Sequence, residues 1–326
     1  MARVFVGIPS KDRPEFVKEA VESVIAQSFT DFRLIVSDNC SHPDNAARVE
    51  KYIRERGDPR ITYVRQPEDK GEYGQGRYFI GQCVEEYFVI LHDDDRLEPE
   101  HLNFAVGALD RDASVAFLAS NQYIIDENGI PDQGRTQEYR RFTCRHRMTE
   151  GPVGNTLELV LGTGVFSISG AVFRSQLVKK YGIGDPECNG RWPFEFNVFL
   201  RQAENGGRAY FATRALVAYR WHSRQMRKEG AWRFNQQMMG ALMEMLERRS
   251  FTGNAERRRR WLLAYCYQFY GYILHVAGER RASYRYLARS LMLAPWTWQH
   301  WAYAGFAVAF PFLIRPIFGS RVKLTS

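Results

Sequence analysis

The chain has 326 residues, of which 45% are hydrophobic and 25% are charged, so it can bury a large core and is not intrinsically disordered. Its formal net charge of +8 favours an anionic partner but does not separate a sugar nucleotide from a nucleic acid or an acidic membrane surface. The five cysteines form no CxxC pair, which argues against a zinc site or a disulfide framework and favours a reducing compartment.

The N-terminal half alternates patterns of buried strands with helical segments. It opens with MARVFVGIPSKDRP, which enters a strand at once and lacks the zones of a signal peptide, so we expect a cytoplasmic protein. Strands are predicted over 3–9, 32–38, 61–65 and 88–91, and helices over 14–29, 43–56 and 77–86. Helices of this length between strands imply right-handed crossovers and a mainly parallel, doubly wound α/β sheet.

Polar side chains follow three of these strands. The first strand runs into Ser10 and Asp12, the second ends at Asp38, and the fourth runs into the carboxylates 93–95 of FVILHDDDRLEP. Ligands of such sheets bind beyond the carboxyl ends of the strands, so these side chains should gather on one rim. Three adjacent carboxylates need a countercharge when they leave water, most simply a divalent cation. The alternatives are an acidic turn before a helix that starts at Pro99 and, for Asp38, an Asx cap of the next loop.

Two segments of the chain allow a binding role or a plain structural one. The glycine-rich stretch KGEYGQGR (70–77) is neither a GxGxxG nor a GxxxxGK[ST] motif. It predicts either a flexible loop that brings Lys70 and Arg77 to a phosphate, or a plain turn before a helix. The arginine-rich segment 133–148 predicts either a solvated stretch or a mobile loop that closes over an anionic substrate.

Two further candidate residues follow. Glu195 lies in the first turn of a helix predicted over 193–204, where a carboxylate could simply interact with the helix dipole. His222 ends the apolar run AYFATRALVAYRWH, where a structural role is the simpler interpretation.

Beyond Ser223 the chain becomes helical and aromatic. Helices are predicted over 232–248, 257–278 and 279–293. The apolar stretch that follows, WAYAGFAVAFPFLIRPIFG, is short for a membrane-spanning helix and is interrupted by Pro311 and Arg315. Basic and aromatic residues beside apolar ones favour an interfacial anchor on an anionic leaflet. The alternative is a buried helical bundle. We therefore expect one domain over 1–225 and a helical, membrane-associating extension over 226–326.

Four motifs, in order, resemble the inverting GT-A nucleotide-sugar glycosyltransferases of family 2. They are VFVGIPSKDRP, LIVSDNCSHPDN, LHDDDRLEP, and FEFNVFLRQAENGGRAYF with the later AYRWH, and the resemblance covers roughly residues 3–225. It implies a Rossmann-like GT-A domain, which the C-terminal helical extension then follows. This sequence differs from the usual family pattern at His92 and at Phe194, which stand where many members have acidic residues.

The resemblance also implies roles for the candidate residues. The residues that it places around the nucleotide are Pro9, Ser10, Asp12, Arg13, Asp38 and Asp93. It assigns Asp94, Asp95 and His222 to a Mg²⁺ or Mn²⁺ ion and makes Glu195 the catalytic carboxylate.

The implied reaction moves a sugar from a UDP-, GDP- or dTDP-linked donor to a hydroxyl of a glycan or a lipid-linked acceptor. The cation would stabilise the leaving diphosphate, and Glu195 would accept the proton of the attacking hydroxyl in a single, inverting displacement. The expected location is the cytoplasmic face of the cell membrane.

Two other functions compete with this one. A non-catalytic sugar-nucleotide-binding or scaffold subunit is suggested by His92 and Phe194. A nucleic-acid-binding protein is suggested only by the charge and the arginine runs, without a recognition motif, so no nucleic-acid partner is expected.

Overall fold

A computed structural model describes residues 2–185, 193–222, 231–298, 301–302 and 304–305. Contacts within the chain divide it into two units. The first consists of Met1–Gly184 and Phe194–His222, and the second of Asp185–Pro193 and Ser223–Ser326. The first unit contains the sheet and the second is helical in its described part.

A mostly parallel sheet forms the centre of the first unit. Its described strands are β1 (Val4–Ser10), β2 (Phe32–Asp38), β3 (Ile61–Arg65), β4 (Tyr87–Ile90), β5 (Arg96–Leu97), β6 (Val115–Ile125), β7 (Pro131–Asp132), β8 (Gly151–Pro152), β9 (Val172–Arg174) and β10 (Arg208–Arg220). The main order is β3-β2-β1-β4-β9-β6-β10-β5. Strands β3, β2, β1 and β4 pair in parallel, β9 lies antiparallel between β4 and β6, and β6 pairs in parallel with β10. The predicted mainly parallel α/β architecture is confirmed.

Helices cover the sheet because they connect its parallel strands. They are α1 (Pro14–Ile25), α2 (Pro43–Arg56), α3 (Gly71–Gln82), α4 (His101–Arg111), α5 (Gln133–Phe142), α6 (Thr156–Gly162), α7 (Ser175–Tyr181) and α8 (Phe194–Glu204). The limits predicted for α2 are confirmed. Pro43 occupies its first turn, and Gly57, with φ +63°, supplies the left-handed residue that ends it.

Two segments for which no helix was predicted are helical. The stretch 71–76 is the first half of α3, so the prediction of a loop before a helix starting at residue 77 was wrong. A Cβ atom at Gly76 would lie 2.7 Å from the Phe194 ring, so this glycine allows α3 to pack closely on another helix of the same unit. The segment 133–148, for which the sequence left open a solvated stretch or a mobile loop, contains α5 and a short 3₁₀ helix (Arg145–Arg147), and most of its residues are exposed.

The helix α5 begins with a side-chain cap. The Asp132 carboxylate accepts a hydrogen bond from the backbone N–H of Arg135 at 2.9 Å. The buried residue of α5 is Thr136, which is polar. The helix therefore needs no stripe of apolar residues, and its sequence shows none.

The second unit is a helical bundle in its described part. Helices α9 (Ala231–Glu247), α10 (Gly253–Val276) and α11 (Arg280–Leu293) correspond to the three predicted helices, and α10 packs against both neighbours. Among the described residues, no helix combines the length and the apolar character needed to cross a bilayer. Most of the predicted apolar stretch after Trp301 lies outside the described residues.

One buried histidine makes the first unit sensitive to acid. His101 is fully buried, its Nε2 lies 2.7 Å from the Gly170 carbonyl oxygen, and burial lowers its pKa to about 4. The unfolded chain, in which histidine has a pKa near 6.5, therefore binds more protons between these two pH values.

We expect this histidine to reduce the free energy of unfolding by about 2 kcal/mol between pH 7 and pH 5. The variant His101→Gln cannot be protonated but can still donate to the Gly170 carbonyl, so it should lose less stability over this range. Urea unfolding of both proteins at the two pH values measures the difference. An equal loss in both would show that His101 does not cause the effect.

Candidate active site

Residues that follow three strands meet at one edge of the first unit's sheet. The backbone N–H of Lys11, after β1, donates to Asp93 Oδ2 at 3.3 Å. The backbone N–H of Arg220, at the end of β10, donates to Asp95 Oδ1 at 2.9 Å. Since Asp93 and Asp95 come soon after β4, the acidic run lies between the ends of β1 and β10, at the rim where ligands of such sheets bind.

An arginine and a histidine side chain contact the middle carboxylate of the run. Asp94 Oδ2 lies 2.6 Å from Arg13 Nη1 and 3.1 Å from His222 Nε2. Arg13 Nη1 also lies 3.1 Å from Asp93 Oδ1. The structure therefore brings together five of the predicted site residues: Arg13, Asp93, Asp94, Asp95 and His222.

The three carboxylates differ in their electrostatic surroundings. Burial raises the pKa of Asp93, and burial together with the charge of Asp94 raises the pKa of Asp95. Although Asp94 is also buried, the hydrogen bond from His222 and the charge of Arg13 hold its pKa below the usual range. Asp94 is thus the carboxylate that most strongly favours its charged form.

A histidine completes a group of side chains that could bind a metal ion. His92, Asp94 and Asp95 offer ligand atoms that all lie within 4.8 Å of one another. Asp95 Oδ2 is buried and has no hydrogen-bond partner within the described ranges, so one hard oxygen is available to an ion. Mn²⁺ binds both carboxylates and imidazole, whereas Mg²⁺ favours the carboxylate oxygens. These residues fit a divalent cation.

The two histidines near the acidic run occupy different positions. His222 donates to Asp94 and is not one of the three residues of this group, so its predicted role as a ligand stays a prediction. His92 belongs to the group, although the sequence suggested only a departure from the family pattern there. Burial disfavours its charged form, but Asp95, Glu72 and other nearby carboxylates raise the pKa of His92. Its place directly before the acidic run was the signal that could have identified it.

Glu195 lies beside this cluster. It is half-buried in the first turn of α8, and its Oε1 accepts a hydrogen bond from the backbone N–H of Ile168 at 2.7 Å. The next residue, Ser169, accepts through Oγ the backbone N–H of His92 at 3.1 Å. A short loop therefore connects Glu195 to the candidate metal ligands.

Asp38 is fully buried at the end of β2. Its Oδ1 accepts the N–H of Ser41 at 2.8 Å, and its Oδ2 accepts the hydroxyl of Tyr63 at 3.1 Å. The first contact is the Asx cap that the sequence offered as the alternative. Contact between Asp38 and a nucleotide base stays a prediction.

The other predicted nucleotide contacts lie around the ends of β1 and β2. Ser10 is buried and pairs in register with Asp38, and Pro9 precedes it in β1. Asp12, with φ +56°, accepts the N–H of His42 at 2.7 Å. The remaining two residues lie at α3, where Lys70 precedes the helix and donates its backbone N–H to Asn39, and Arg77 is exposed.

A buried arginine that the sequence analysis did not single out positions the acidic run. The Arg220 side chain is fully buried, and its Nε donates to the Asp94 carbonyl oxygen at 2.8 Å. Its Nη1 donates to the carbonyl oxygens of Asp126 and Glu127, and Glu19 supplies the countercharge. An arginine at the end of an apolar strand, two residues before His222, was the available signal.

The family model described as "Glycosyl transferase family 2" matches residues 5–182. A β-1,3-glucosyltransferase of Campylobacter jejuni that is named for GalNAc(5)-diNAcBac-PP-undecaprenol is 31% identical over 98 residues, which are 30% of this chain and 31% of that protein. Chondroitin synthase of Escherichia coli is 25% identical over 126 residues, which are 39% of this chain and 18% of that protein. The chain spans only about a fifth to a half of the length of the curated relatives that it matches.

Solved structures show the same fold at low sequence identity. Residues 1–349 of Staphylococcus aureus TarS, in complex with UDP-GlcNAc, have a TM-score of 0.62 and 17% identity, with 90% of this chain and 81% of that chain covered. The mannosyltransferase PcManGT of Pyrobaculum calidifontis, in complex with GDP-Man and Mn²⁺, has a TM-score of 0.58 and 14% identity, with 98% and 88% covered. These neighbours confirm the GT-A fold. Because the family model covers more than half of its residues, the chain belongs to glycosyl transferase family 2.

Proposed function

We propose that this protein is a metal-dependent, inverting glycosyltransferase that moves a sugar from a nucleotide-sugar donor to a hydroxyl of a glycan or lipid-linked acceptor. One observation carries the proposal: the ligand atoms of His92, Asp94 and Asp95 converge, and a short loop connects them to the carboxylate of Glu195. A cation site and a candidate base are the two parts that this reaction needs.

The donor side of the site is formed by the ends of β1, β2 and β4. We assign the nucleoside to the region of Pro9, Ser10, Asp12 and Asp38, where β1 and β2 end side by side. The family relationship and the nucleotide sugars bound to the two solved neighbours support a UDP-, GDP- or dTDP-linked donor. Lys70, whose backbone N–H donates to Asn39 just after β2, adds positive charge near this region, and contact of Arg77 with a phosphate stays a prediction.

The leaving group acquires negative charge as the sugar–phosphate bond breaks. A Mg²⁺ or Mn²⁺ ion, when bound to His92, Asp94 and Asp95, supplies positive charge to the departing diphosphate. Arg13 contacts both Asp93 and Asp94, so its guanidinium lies where a second positive charge can stabilise the same phosphates. Arg220 keeps the backbone of the acidic run in place.

The acceptor hydroxyl needs a base because it is a weak nucleophile. The N–H of Ile168 orients Glu195 through one carboxylate oxygen. In our assignment Glu195 accepts the hydroxyl proton on the face of the sugar opposite the leaving diphosphate. A single displacement of this kind inverts the anomeric centre.

The structure offers an explanation for the two departures that suggested a non-catalytic subunit. His92 is one of the candidate metal ligands, so its presence does not remove the cation site. Phe194 is 2% exposed and its ring meets the Tyr73 ring edge-on, with centroids 6.5 Å apart, which is a packing role. The neighbouring Glu195 carries the carboxylate, so we favour the enzyme over the scaffold.

Direct assay of transfer tests the proposed function. The full chain is incubated with Mn²⁺, with UDP-, GDP- and dTDP-linked sugars in turn, and with glycan and lipid-linked acceptors. We expect acceptor-dependent release of one nucleoside diphosphate, and proton NMR of the product should show an inverted anomeric centre. A retained configuration would contradict the mechanism, and nucleotide binding without any turnover would favour the scaffold.

We further propose that the second unit contacts the anionic inner face of the membrane. Three tryptophans after α11 are exposed by 52%, 72% and 54%: Trp296, Trp298 and Trp301. The Arg260 guanidinium lies 5.2 Å from the centroid of the Trp296 ring. Exposed tryptophan beside arginine is the composition that favours the headgroup region of a bilayer.

Replacing Trp296 and Trp298 together with alanine should weaken binding to vesicles that contain phosphatidylglycerol by about tenfold, because apolar area and interfacial aromatic rings are lost. Co-sedimentation with vesicles measures the effect. Phe142→Ala, which removes an 83% exposed aromatic ring from the first unit, is the matched control and should bind like the wild type. Equal binding by the double variant, or none by the wild type, would refute the membrane contact.

A further inference from the structure

The guanidinium of Arg145 has an unused edge inside the protein. Arg145 is 1% exposed, and its Nη1 donates to the Ser120 carbonyl oxygen at 2.9 Å. Its Nε and Nη2 have no hydrogen-bond partner in the part of the chain that the structure describes. These two nitrogens form the edge that binds two oxygens of a carboxylate or phosphate at once. Leaving a buried charged donor without an acceptor is costly, so an oxyanion there would be strongly favoured.

A second arginine adds positive charge beside it. Arg140 is half-exposed, and its Nε donates to the Gln122 carbonyl oxygen at 3.2 Å. Burial, and then the positive charge of Arg145, lower the pKa of Arg140. Within the described residues, neither arginine is ion-paired with a carboxylate. Two neighbouring guanidinium groups without an acidic partner favour an anion between them.

Ser120, whose carbonyl oxygen accepts from Arg145 Nη1, also has a hydroxyl that can donate. The Ser120 hydroxyl is buried and has no hydrogen-bond partner among the residues described. The Arg145 guanidinium carbon lies 5.3 Å from the centroid of the Tyr139 ring, which helps to hold the guanidinium in place. Arg145, Arg140 and Ser120 thus supply two positive charges and a hydroxyl to one small region.

Short contacts connect this region to the candidate active site. The Tyr139 hydroxyl donates to Gln122 Oε1 at 2.9 Å, and Gln122 Nε2 donates to the Ser169 carbonyl oxygen at 3.3 Å. Ser169 follows Ile168, whose N–H holds the Glu195 carboxylate. These contacts connect the arginines to the loop that holds the candidate base, near which the acceptor hydroxyl must lie.

We propose that Arg145 and Arg140, with the Ser120 hydroxyl, bind a phosphate group of the acceptor. This inference rests on the proposed function and names the chemistry of its acceptor. A phosphate carries one to two negative charges and enough oxygens to accept from both guanidinium groups and the hydroxyl. The phosphate belongs either to the headgroup of a lipid-linked acceptor or to a soluble phosphorylated glycan.

Calorimetric titration of the full chain tests this site. Inorganic phosphate is titrated at constant ionic strength into protein that is saturated with Mn²⁺ and a nucleoside diphosphate, so that the donor site is filled. We expect saturable binding that is at least about tenfold weaker in Arg145→Met, in Arg140→Gln and in Arg145→Lys, since lysine keeps the charge but lacks the two-nitrogen edge. Arg147→Met, an exposed arginine of the same segment, should bind like the wild type.

Two further ligands separate the sources of the phosphate. Tighter binding of farnesyl diphosphate than of inorganic phosphate, lost in Arg145→Met, supports a lipid-linked acceptor. Tighter binding of a soluble sugar phosphate, lost in the same variant, supports a phosphorylated glycan.

The outcomes also separate this inference from the proposed function. Absent phosphate binding, or equal affinity in the wild type and in both Arg145 variants, overturns the site while nucleotide binding remains. Acetate binding as tightly as phosphate overturns the assignment of a phosphate. Failure of the wild type to bind any nucleoside diphosphate with Mn²⁺ refutes the proposed function itself. Nucleotide affinity of each variant serves as the check of folding, and Arg140→Gln leaves the buried arginine in place if the Arg145 variants do not fold.

Discussion

Replacing Glu195 with glutamine should lower the rate of sugar transfer by about a thousandfold, within the range that a general base contributes. Glutamine keeps the size of the side chain and its carbonyl oxygen can still accept the Ile168 N–H, but it cannot accept the proton of the acceptor hydroxyl. The affinity for the nucleotide-sugar donor should stay nearly unchanged, because the donor region is built from the ends of β1, β2 and β4 and not from α8. Single-turnover rates and donor titrations measure the two quantities separately.

Glu204 provides a matched control on the same helix. Glu204→Gln removes the same charge at the far end of α8, about 13 Å away along the helix axis. Its transfer rate should stay close to that of the wild type. If Glu195→Gln transfers sugar as fast as this control does, Glu195 is not the base.

Replacing Asp94 with asparagine should remove most of the affinity for Mn²⁺. Asp94 is the carboxylate of the cluster whose pKa is lowered, by the His222 hydrogen bond and the Arg13 charge, despite its burial. Loss of a residue that only supports a ligand already costs about 10- to 100-fold in metal affinity, so loss of this ligand should cost at least about a hundredfold. Transfer at a fixed Mn²⁺ concentration should fall in parallel.

Electron paramagnetic resonance of free Mn²⁺ measures this loss directly, without a sugar acceptor. Asp112→Asn, which removes a partly exposed carboxylate just after α4, is the control and should bind the ion like the wild type. Unchanged Mn²⁺ affinity in Asp94→Asn would show that the cation binds elsewhere or not at all.

Most of the sheet could be predicted because local signals agree with the tertiary structure. The strand patterns around β1, β2 and β4 are runs of apolar residues that the fold buries almost completely. The ends of α2 follow from Pro43 and Gly57, whose backbone preferences act locally. Such elements need no long-range contact to be identified.

The two missed helices depend on tertiary packing. The glycines of α3 are typical of a loop in sequence, yet Gly76 is needed so that Phe194, more than a hundred residues away, can pack on the helix. The helix α5 contacts the sheet through few side chains, Thr136 and Tyr139 among them, so its sequence shows no apolar stripe.

The candidate site was predictable only in part, for a related reason. Parallel-sheet topology predicts that the ends of β1 and β4 converge, and the contact of Arg13 with Asp94 agrees with this. The sequence cannot show that Glu195 accepts the N–H of Ile168, because no local pattern connects a helix start with a loop 27 residues earlier. Likewise, nothing in the composition of the segment 133–148 distinguishes the buried Arg145 from its exposed neighbours.

The central claim is that the acidic run binds a cation that in turn binds a nucleoside diphosphate. Calorimetric titration of UDP, GDP and dTDP into the wild-type chain, with Mn²⁺ and then with excess EDTA, tests it most directly. We predict that at least one of the three binds tightly with Mn²⁺, raises the melting temperature, and loses most of its affinity in EDTA. Equal affinity in both conditions, or no binding of any of the three with Mn²⁺, would contradict the claim.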